Sequence, residues 1–499
     1  MFYFITLYKR EAQMIQFNNV TFSYSASDKN ALEDFNLTIR PGEVVCLTGL
    51  SGCGKSTVLR LINGLIPQFF SGEIAGDIVI AGQNMKDYAF KDLSHKIGSI
   101  FQNPRSQFFC THVLNELAFE LENYYTDPEE IQSRIIRAVD QYQINDLLES
   151  NVFELSGGQQ QMIACISIEI AGQALIVMDE PSSNLDFKAV QKLARMIQSW
   201  KQQGKTIVIA EHRLHYLLDL ADRFILIESG QITKAWNQDD FRQLELKQLK
   251  AHGLRATDLT RLRPKRSEPS SHDVIPIQNW QYRYQKKETL DLNIERFDLH
   301  KGAITAIVGH NGAGKSTFAK ALMGAVKLNR DAVIMNDTHK IRQKQWKHDV
   351  YQVFQNVESQ LFGETVEEEI RFSHRNMPDA DLVHALDIID LKQHRDKHPL
   401  SLSNGEMQRL AIASAKESGR PILVFDEPTS GLDGKRMSEF ATELRQLKGQ
   451  GYTILVITHD YELIINSADY VAEFHEGEVK HHYPLDMRNV KVLQNFFEL

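Results

Sequence analysis

Residues 44–57 read VVCLTGLSGCGKST, and residues 304–317 read ITAIVGHNGAGKST. Each is an apolar run suited to a buried strand that leads into G-x-x-x-x-G-K-S-T. In that pattern glycines let backbone amides converge on phosphate groups, the lysine reaches the terminal phosphates, and the hydroxyl ligates magnesium. The candidate cradle residues are Gly49, Gly52, Gly54, Lys55, Ser56 and Thr57, and again Gly309, Gly312, Gly314, Lys315, Ser316 and Thr317. A bare glycine-rich turn explains one accidental match; two complete matches, each after a strand, argue for a triphosphate site in each half.

Working outward, LIVMDEPSSNLD at 175–186 recurs as ILVFDEPTSGLD at 422–433, and FQNPRSQFF at 101–109 recurs as FQNVESQLF at 354–362. Several blocks repeated in the same order mean one domain written twice. Between them, strand-like runs alternate with helical patterns. FKAVQKLARMIQSW, for example, sets Val190, Leu193, Ala194 and Ile197 at helical spacing, which reads as core. The expected class is α/β, with two tandem P-loop domains. The expected boundaries are an N-terminal extension at 1–14, a first domain at 15–244, a linker at 245–275 and a second domain at 276–499. The linker assignment rests on Pro264, Pro269 and serines, with a solvated basic run of Arg261, Arg263, Lys265 and Arg266.

Asp179 and Asp426 end apolar strands, where a carboxylate can join a magnesium shell; Glu180 and Glu427 follow, and their side chains can face an attacking water. TIVIAEH ends in His212 and TILVITH in His459, each 32 residues after its glutamate. A lone histidine there would pass for a surface group, but the duplicated spacing favours function. Tyr24 and Tyr284 each stand 31 residues before the loop lysine, which favours an aromatic that stacks on a base. Gln102 and Gln355 carry weight only because both sit in the repeated FQN block.

The 499 residues carry a formal net charge of −9, with 42% hydrophobic and 24% charged residues. That balance argues against a nucleic-acid binder working by bulk positive charge. No run approaches the length of a membrane span. Cys46, Cys53, Cys110 and Cys165 show no metal-ligand spacing, so a reducing compartment without structural zinc is expected.

Over roughly 15–240 and 276–480 the chain resembles the ATP-binding cassette family. The signature LSGGQ stands at Leu155, Ser156, Gly157, Gly158 and Gln159, and its second copy reads LSNGE at Leu402, Ser403, Asn404, Gly405 and Glu406. The resemblance implies that Gln102 and Gln355 are Q-loop residues joining the magnesium shell with Ser56, Asp179, Ser316 and Asp426. It makes Asp186 and Asp433 D-loop residues, Glu180, His212, Glu427 and His459 catalytic, and Tyr24 and Tyr284 adenine-stacking. It also implies an intramolecular head-to-tail pseudo-dimer, in which Ser156 and Gly158 complete the ATP site of Lys315, and Ser403 and Gly405 that of Lys55. Asn404 and Glu406 then bring bulk and negative charge to one site, an expected source of asymmetry.

The blocks after Gln102 and Gln355 repeat Gln107, Phe109, Val113, Glu116 and Phe119 as Gln360, Phe362, Val366, Glu369 and Phe372. They resemble the ATPases of energy-coupling-factor importers for vitamins or transition metals. That implies an integral membrane coupling protein and a separate membrane substrate-binding protein as partners, no nucleic acid, and a place on the cytoplasmic face of the membrane. The alternatives are the ATPase of another importer, such as a sugar system, and a soluble translation-associated cassette ATPase. The latter usually carries a longer charged arm between its halves.

Overall fold

In a computed structural model the described residues are 13–25, 27, 29–264, 273–284, 290–336 and 339–499, without the side chains of Asn336 and Asn404. Most of the expected extension at 1–14, and Lys265 and Arg266 of the basic run, lie outside them. The chain forms two compact units, one of residues 1–258 with 431–436, the other of 259–430 with 437–499.

In the first unit the five residues of the strand Val44–Thr48 are all buried. Such a continuous apolar strand needs cover on both faces. It lies inside a six-stranded sheet, between Thr206–Ala210 and Arg223–Glu228, and pairs with both in parallel. Leu175–Asp179 and Ile97–Ile100 extend the parallel set, and Gln231–Asn237 closes the other edge antiparallel. Side chains alternate across the sheet. Val45 and Leu47 face an antiparallel sheet of Asn30–Ile39, Ile15–Tyr24, Gly72–Ile80 and Gln83–Asn84, in a core with Phe17, Phe22 and Phe35. Val44 and Cys46 face the other layer, with Ile163, Leu193 and Trp200 from helices Gly157–Ala171 and Phe187–Gln202.

The second unit repeats the plan. Ile304–Val308 lies between Thr453–Ile457 and Tyr470–His475, with Ile422–Asp426 and Val350–Val353 beyond, and an antiparallel sheet begins with Leu292–His300 and Val274–Tyr282. In both units the strands that carry the loop lysine, the DE pair and the histidine are parallel neighbours. Their carboxyl ends therefore meet on one side of the sheet, where open α/β sheets bind ligands.

The stretch 245–275, expected as a linker, is not bare chain. Leu246–Ala251 is helical, and Leu254, Arg255, Ala256 and Thr257 are buried. Among the described residues no helix is long and apolar enough to cross a membrane.

Candidate active sites

The loop glycines build the phosphate cradle by necessity. Gly49 holds φ +139°, and a Cβ there would stand 2.2 Å from the Ile227 carbonyl oxygen; on Gly309 it would stand 2.5 Å from that of Phe474. The helices Lys55–Ile62 and Lys315–Leu322 start directly behind these loops and aim their free amides into them. Lys55 Nζ donates to the Gly49 and Leu50 carbonyls at 3.1 and 3.0 Å. Lys315 Nζ likewise donates to those of Gly309 and His310, at 2.6 and 3.1 Å. Each ammonium is thus held inside the loop whose amides would take the phosphates.

Around the first loop the structure brings five predicted residues together. Ser56 Oγ donates to Asp179 Oδ1 at 3.0 Å, a hydroxyl and carboxylate pair of the kind that shares a magnesium ion with phosphate oxygens. Gln102 Nε2 donates to Glu180 Oε2 at 2.9 Å, and His212 Nε2 stands 3.4 Å from Glu180 Oε1. His212 is 4% exposed, and its Nε2 has no hydrogen-bond partner among the described residues. An orphaned buried nitrogen beside a carboxylate fits a site shaped for a further polar ligand.

Burial raises the Asp179 carboxyl to about 6; the Glu180 charge adds to this, and the Ser56 hydrogen bond opposes it. Burial likewise raises Glu180 to about 7 against the pull of Lys55. His212 falls to about 3, through burial and then the Lys55 charge, and is neutral at physiological pH. A carboxyl poised near neutrality suits a base that takes a proton from water.

In the second unit His459 Nε2 stands 3.5 Å from Glu427 Oε1 and 3.1 Å from Lys315 Nζ. The His459 amide donates to Glu427 Oε2 at 3.3 Å. Burial raises Asp426, with Lys315, Lys320 and a hydrogen bond from Ser316 opposing. Gln355 follows the strand Val350–Val353, as Gln102 follows Ile97–Ile100. Tyr24 is tied to the first loop helix, its hydroxyl 3.1 Å from both Thr57 Oγ1 and Arg60 Nη1. The Tyr284 amide donates to Asp291 at 2.8 Å, and its ring meets Tyr282 edge-on.

The two signature turns differ. Ser156 caps the helix Gly157–Ala171, accepting from the Gln159 amide at 3.4 Å, so its hydroxyl proton is not committed there. Ser403 Oγ instead donates to Glu406 Oε2 at 2.7 Å, and that carboxylate also accepts from the Ser403 amide at 2.8 Å. Burial works against the Glu406 charge, but these hydrogen bonds outweigh it and hold the carboxyl below its ordinary value. The expected charge asymmetry thus takes the form of a serine engaged within its own turn. The bulk expected of Asn404 belongs to a side chain outside the described residues.

Sequence reasoning missed Glu211. It is 1% exposed, accepts from the His212 amide at 2.7 Å and the Tyr216 hydroxyl at 2.9 Å, and reaches the Ser182 amide at 3.3 Å. The second copy has Thr458 in its place, so repeat matching hid it. There Asp460, on the other side of the histidine, accepts from Thr429 Oγ1 at 2.7 Å.

A family model described as ABC transporter matches residues 32–183 and 292–430, and an AAA-domain model matches 399–466 alone. A Treponema denticola protein, provisionally described as an ABC transporter ATP-binding protein, is 40% identical over 90% of this chain and 93% of its own. A second from the same organism, with the same description, is 34% identical over 95% and 97%. Among solved structures, the archaeal ribosome recycling factor aABCE1, in complex with ribosomal stalk protein aP1, covers 96% of this chain and 92% of its own at TM-score 0.62 and 22% identity. ABCE1 in a ribosome-bound archaeal assembly covers 96% and 80% at TM-score 0.67 and 20% identity. The Clostridium perfringens protein cbiO1, part of a cbiONQ transporter complex, covers 48% of this chain and 93% of its own at TM-score 0.43 and 26% identity.

These findings correct the expectation of membrane partners without nucleic acid. The two factors that run the length of the chain are described with ribosomal partners, and at 20–22% identity what they share with this chain is the fold. The repeated blocks that suggested membrane docking also have an internal reason to recur. Glu116 Oε2 accepts from the Phe109 and Cys110 amides at 3.0 and 2.7 Å, and Glu369 Oε2 from the Phe362 and Gly363 amides, both at 2.8 Å. Gln107 and Gln360 accept from the Phe101 and Phe354 amides at 3.3 and 2.9 Å, and Val113 and Val366 are core. The shared glutamines and glutamates staple a loop shut in each unit, a need any partner would leave unchanged, while the rings of Phe109, Phe362 and Phe372 stay exposed.

Proposed function

Because the chain belongs to the ABC transporter family of ATP-binding proteins, as two ATP-hydrolysing cassettes in tandem, we propose that each cassette runs hydrolysis with its own duplicated set of side chains. The observation that carries this is the glutamate and histidine pair, at 3.4 Å in one unit and 3.5 Å in the other, beside a loop lysine. Lys55 and Lys315, with the loop amides, bind the β- and γ-phosphates, and Tyr24 and Tyr284 stack on adenine. Ser56, Asp179 and Gln102, and their counterparts Ser316, Asp426 and Gln355, would hold magnesium, which when bound would neutralise phosphate charge. Glu180 and Glu427 orient the attacking water and take its proton, while His212 and His459 hold the γ-phosphate through Nε2.

For the work that hydrolysis drives, we infer a soluble ATPase acting on ribosomal particles. The support is the likeness in fold, along 96% of the chain, to factors described with ribosomal partners. A second reading, an ATPase that powers transport, is favoured by the description of the 40% identical relative. The test purifies wild type and the double variant Glu180→Gln, Glu427→Gln, measures phosphate release, and follows both through ribosome cosedimentation and membrane pelleting with and without ATP. Expected are ATP binding without turnover in the double variant and its ATP-dependent retention on ribosomes. Near-normal turnover would sink the site assignment; membrane recovery without ribosome binding would replace the ribosomal reading with the transport one.

A further inference from the structure

The connection between the cassettes supplies a residue that the ATPase reading leaves unused. Arg255 is 4% exposed, and its Nη1 donates to the Leu432 carbonyl at 3.3 Å. Both residues belong to the first compact unit, which takes in Gly431–Arg436. The packing on either side of Arg255 is tight. A Cβ on Gly434 would stand 2.4 Å from the Leu254 carbonyl oxygen, and one on Gly253 would stand 2.4 Å from Leu50 Cδ2 in the phosphate loop.

The stretch that Arg255 holds touches the candidate machinery at two points. Asp433 Oδ2 accepts from the Ser51 amide of the phosphate loop at 2.8 Å, while its Oδ1 accepts from the Arg436 amide at 2.8 Å. A Cβ on Gly431 would lie 2.9 Å from Glu180 Oε2 and 3.0 Å from Gln102 Nε2. The turn Gly431–Asp433 therefore lies against the glutamate carboxylate and the loop together. A displacement of about 1 Å there would misplace both, and errors of that size are costly to catalysis.

We infer that Arg255 is a positioning residue for hydrolysis at the site of Lys55 and Glu180, fixing the turn Gly431–Asp433 through the Leu432 carbonyl. A guanidinium suits this buried position because it stays charged there and presents several donors from a rigid plane. The inference rests on the ATPase reading above, and the experiment separates the two.

Arg255→Met, Arg255→Gln and Arg255→Lys are made in the full chain beside the double variant Glu180→Gln, Glu427→Gln, and kcat, KM for ATP and thermal midpoint are measured. Expected for Arg255→Met is a fall in kcat of about twofold if the sites turn over independently, and up to about tenfold if they alternate, with KM little changed. Arg255→Lys, which keeps a donor and the charge, recovers part of the loss. Should Arg255→Met fail to fold, Arg255→Gln and Arg255→Lys decide by the same split. An unchanged kcat in a folded neutral variant overturns the inference, as does a parallel loss of stability and ATP affinity that lysine does not relieve. Turnover by the double glutamine variant would instead overturn the ATPase reading itself.

Discussion

Replacing Glu180 by glutamine is expected to stabilise the first unit at alkaline pH while removing its catalysis. Burial raises this carboxyl from an ordinary value of 4.5 to about 7, with Lys55 opposing and Asp433 adding to the rise. Its side chain is only 13% exposed, so solvent screens little of that cost. At about 1.4 kcal/mol per pH unit, the rise corresponds to about 3 kcal/mol charged against the folded state once the group is ionised. An acid whose folded value is raised holds its proton longer in the native state than in the unfolded chain. Stability from this group therefore falls as pH climbs from 4.5 towards about 7, and the whole cost is present above that. Glutamine carries no charge at any pH and keeps an oxygen for Gln102 Nε2. Removing the charge also relaxes Asp179, whose own rise is due in part to Glu180.

The measurement is calorimetric unfolding of wild type and Glu180→Gln without nucleotide, at pH 5 and pH 8. For a unit of this size, about 3 kcal/mol corresponds to a rise on the order of 10 °C in the first-unit transition at pH 8, against a small fraction of that at pH 5. Wild-type turnover through this site should in turn climb with pH through about 7, as the carboxyl becomes the base. A gain of equal size at both pH values, or a variant less stable at pH 8, would refute the claim that a buried carboxyl is poised here.

The Ser403 hydroxyl donates to Glu406 at 2.7 Å, so Glu406→Gln should free it for nucleotide and tighten ATP binding by about fivefold, the worth of one hydrogen bond. Equilibrium binding of a fluorescent ATP analogue checks this, and unchanged affinity would count against it. The Tyr24 hydroxyl lies 3.1 Å from Thr57, so Tyr24→Phe should lose about 1 kcal/mol of stability with ATP affinity intact, whereas Tyr24→Ala should weaken binding about tenfold. Equal affinity in all three proteins would remove the ring from the adenine site.

The strand, loop and helix of each phosphate site were legible because their demands are local: glycines at positive φ, a lysine within reach of its own loop, a hydroxyl one residue on. Duplication made the DE pairs and the histidines readable in the same way. Duplication also misled. Gln107, Glu116 and their counterparts recur because each loop must satisfy its own amides, and recurrence alone does not separate that need from a shared partner. What stayed hidden lies where the copies diverge or the chain returns from a distance. Arg255 sat in a stretch read as solvated linker, and only tertiary packing brings it to Leu432, 177 residues further on.

The divergence at Glu211 shows what the site demands of its scaffold. Each histidine follows a strand and precedes a sharp change of direction, and the turn after each DE pair must be held beside it. In the first unit the carboxylate that does this precedes the histidine and accepts from the Ser182 amide; in the second it follows the histidine and accepts from the Thr429 hydroxyl. Ser182 and Thr429 occupy the same place in the repeated DEPS and DEPT blocks. The common requirement is one buried carboxylate bridging the histidine strand to that position, from either side and to either donor. Glutamate, the longer side chain, also caps the His212 and Arg213 amides. Aspartate instead caps the helix Tyr461–Ser467 through the Leu463 amide. The reacting groups are fixed by chemistry and so repeat residue for residue. The groups that brace them are fixed only by where an oxygen must lie, and a comparison of the two copies by sequence position is blind to that.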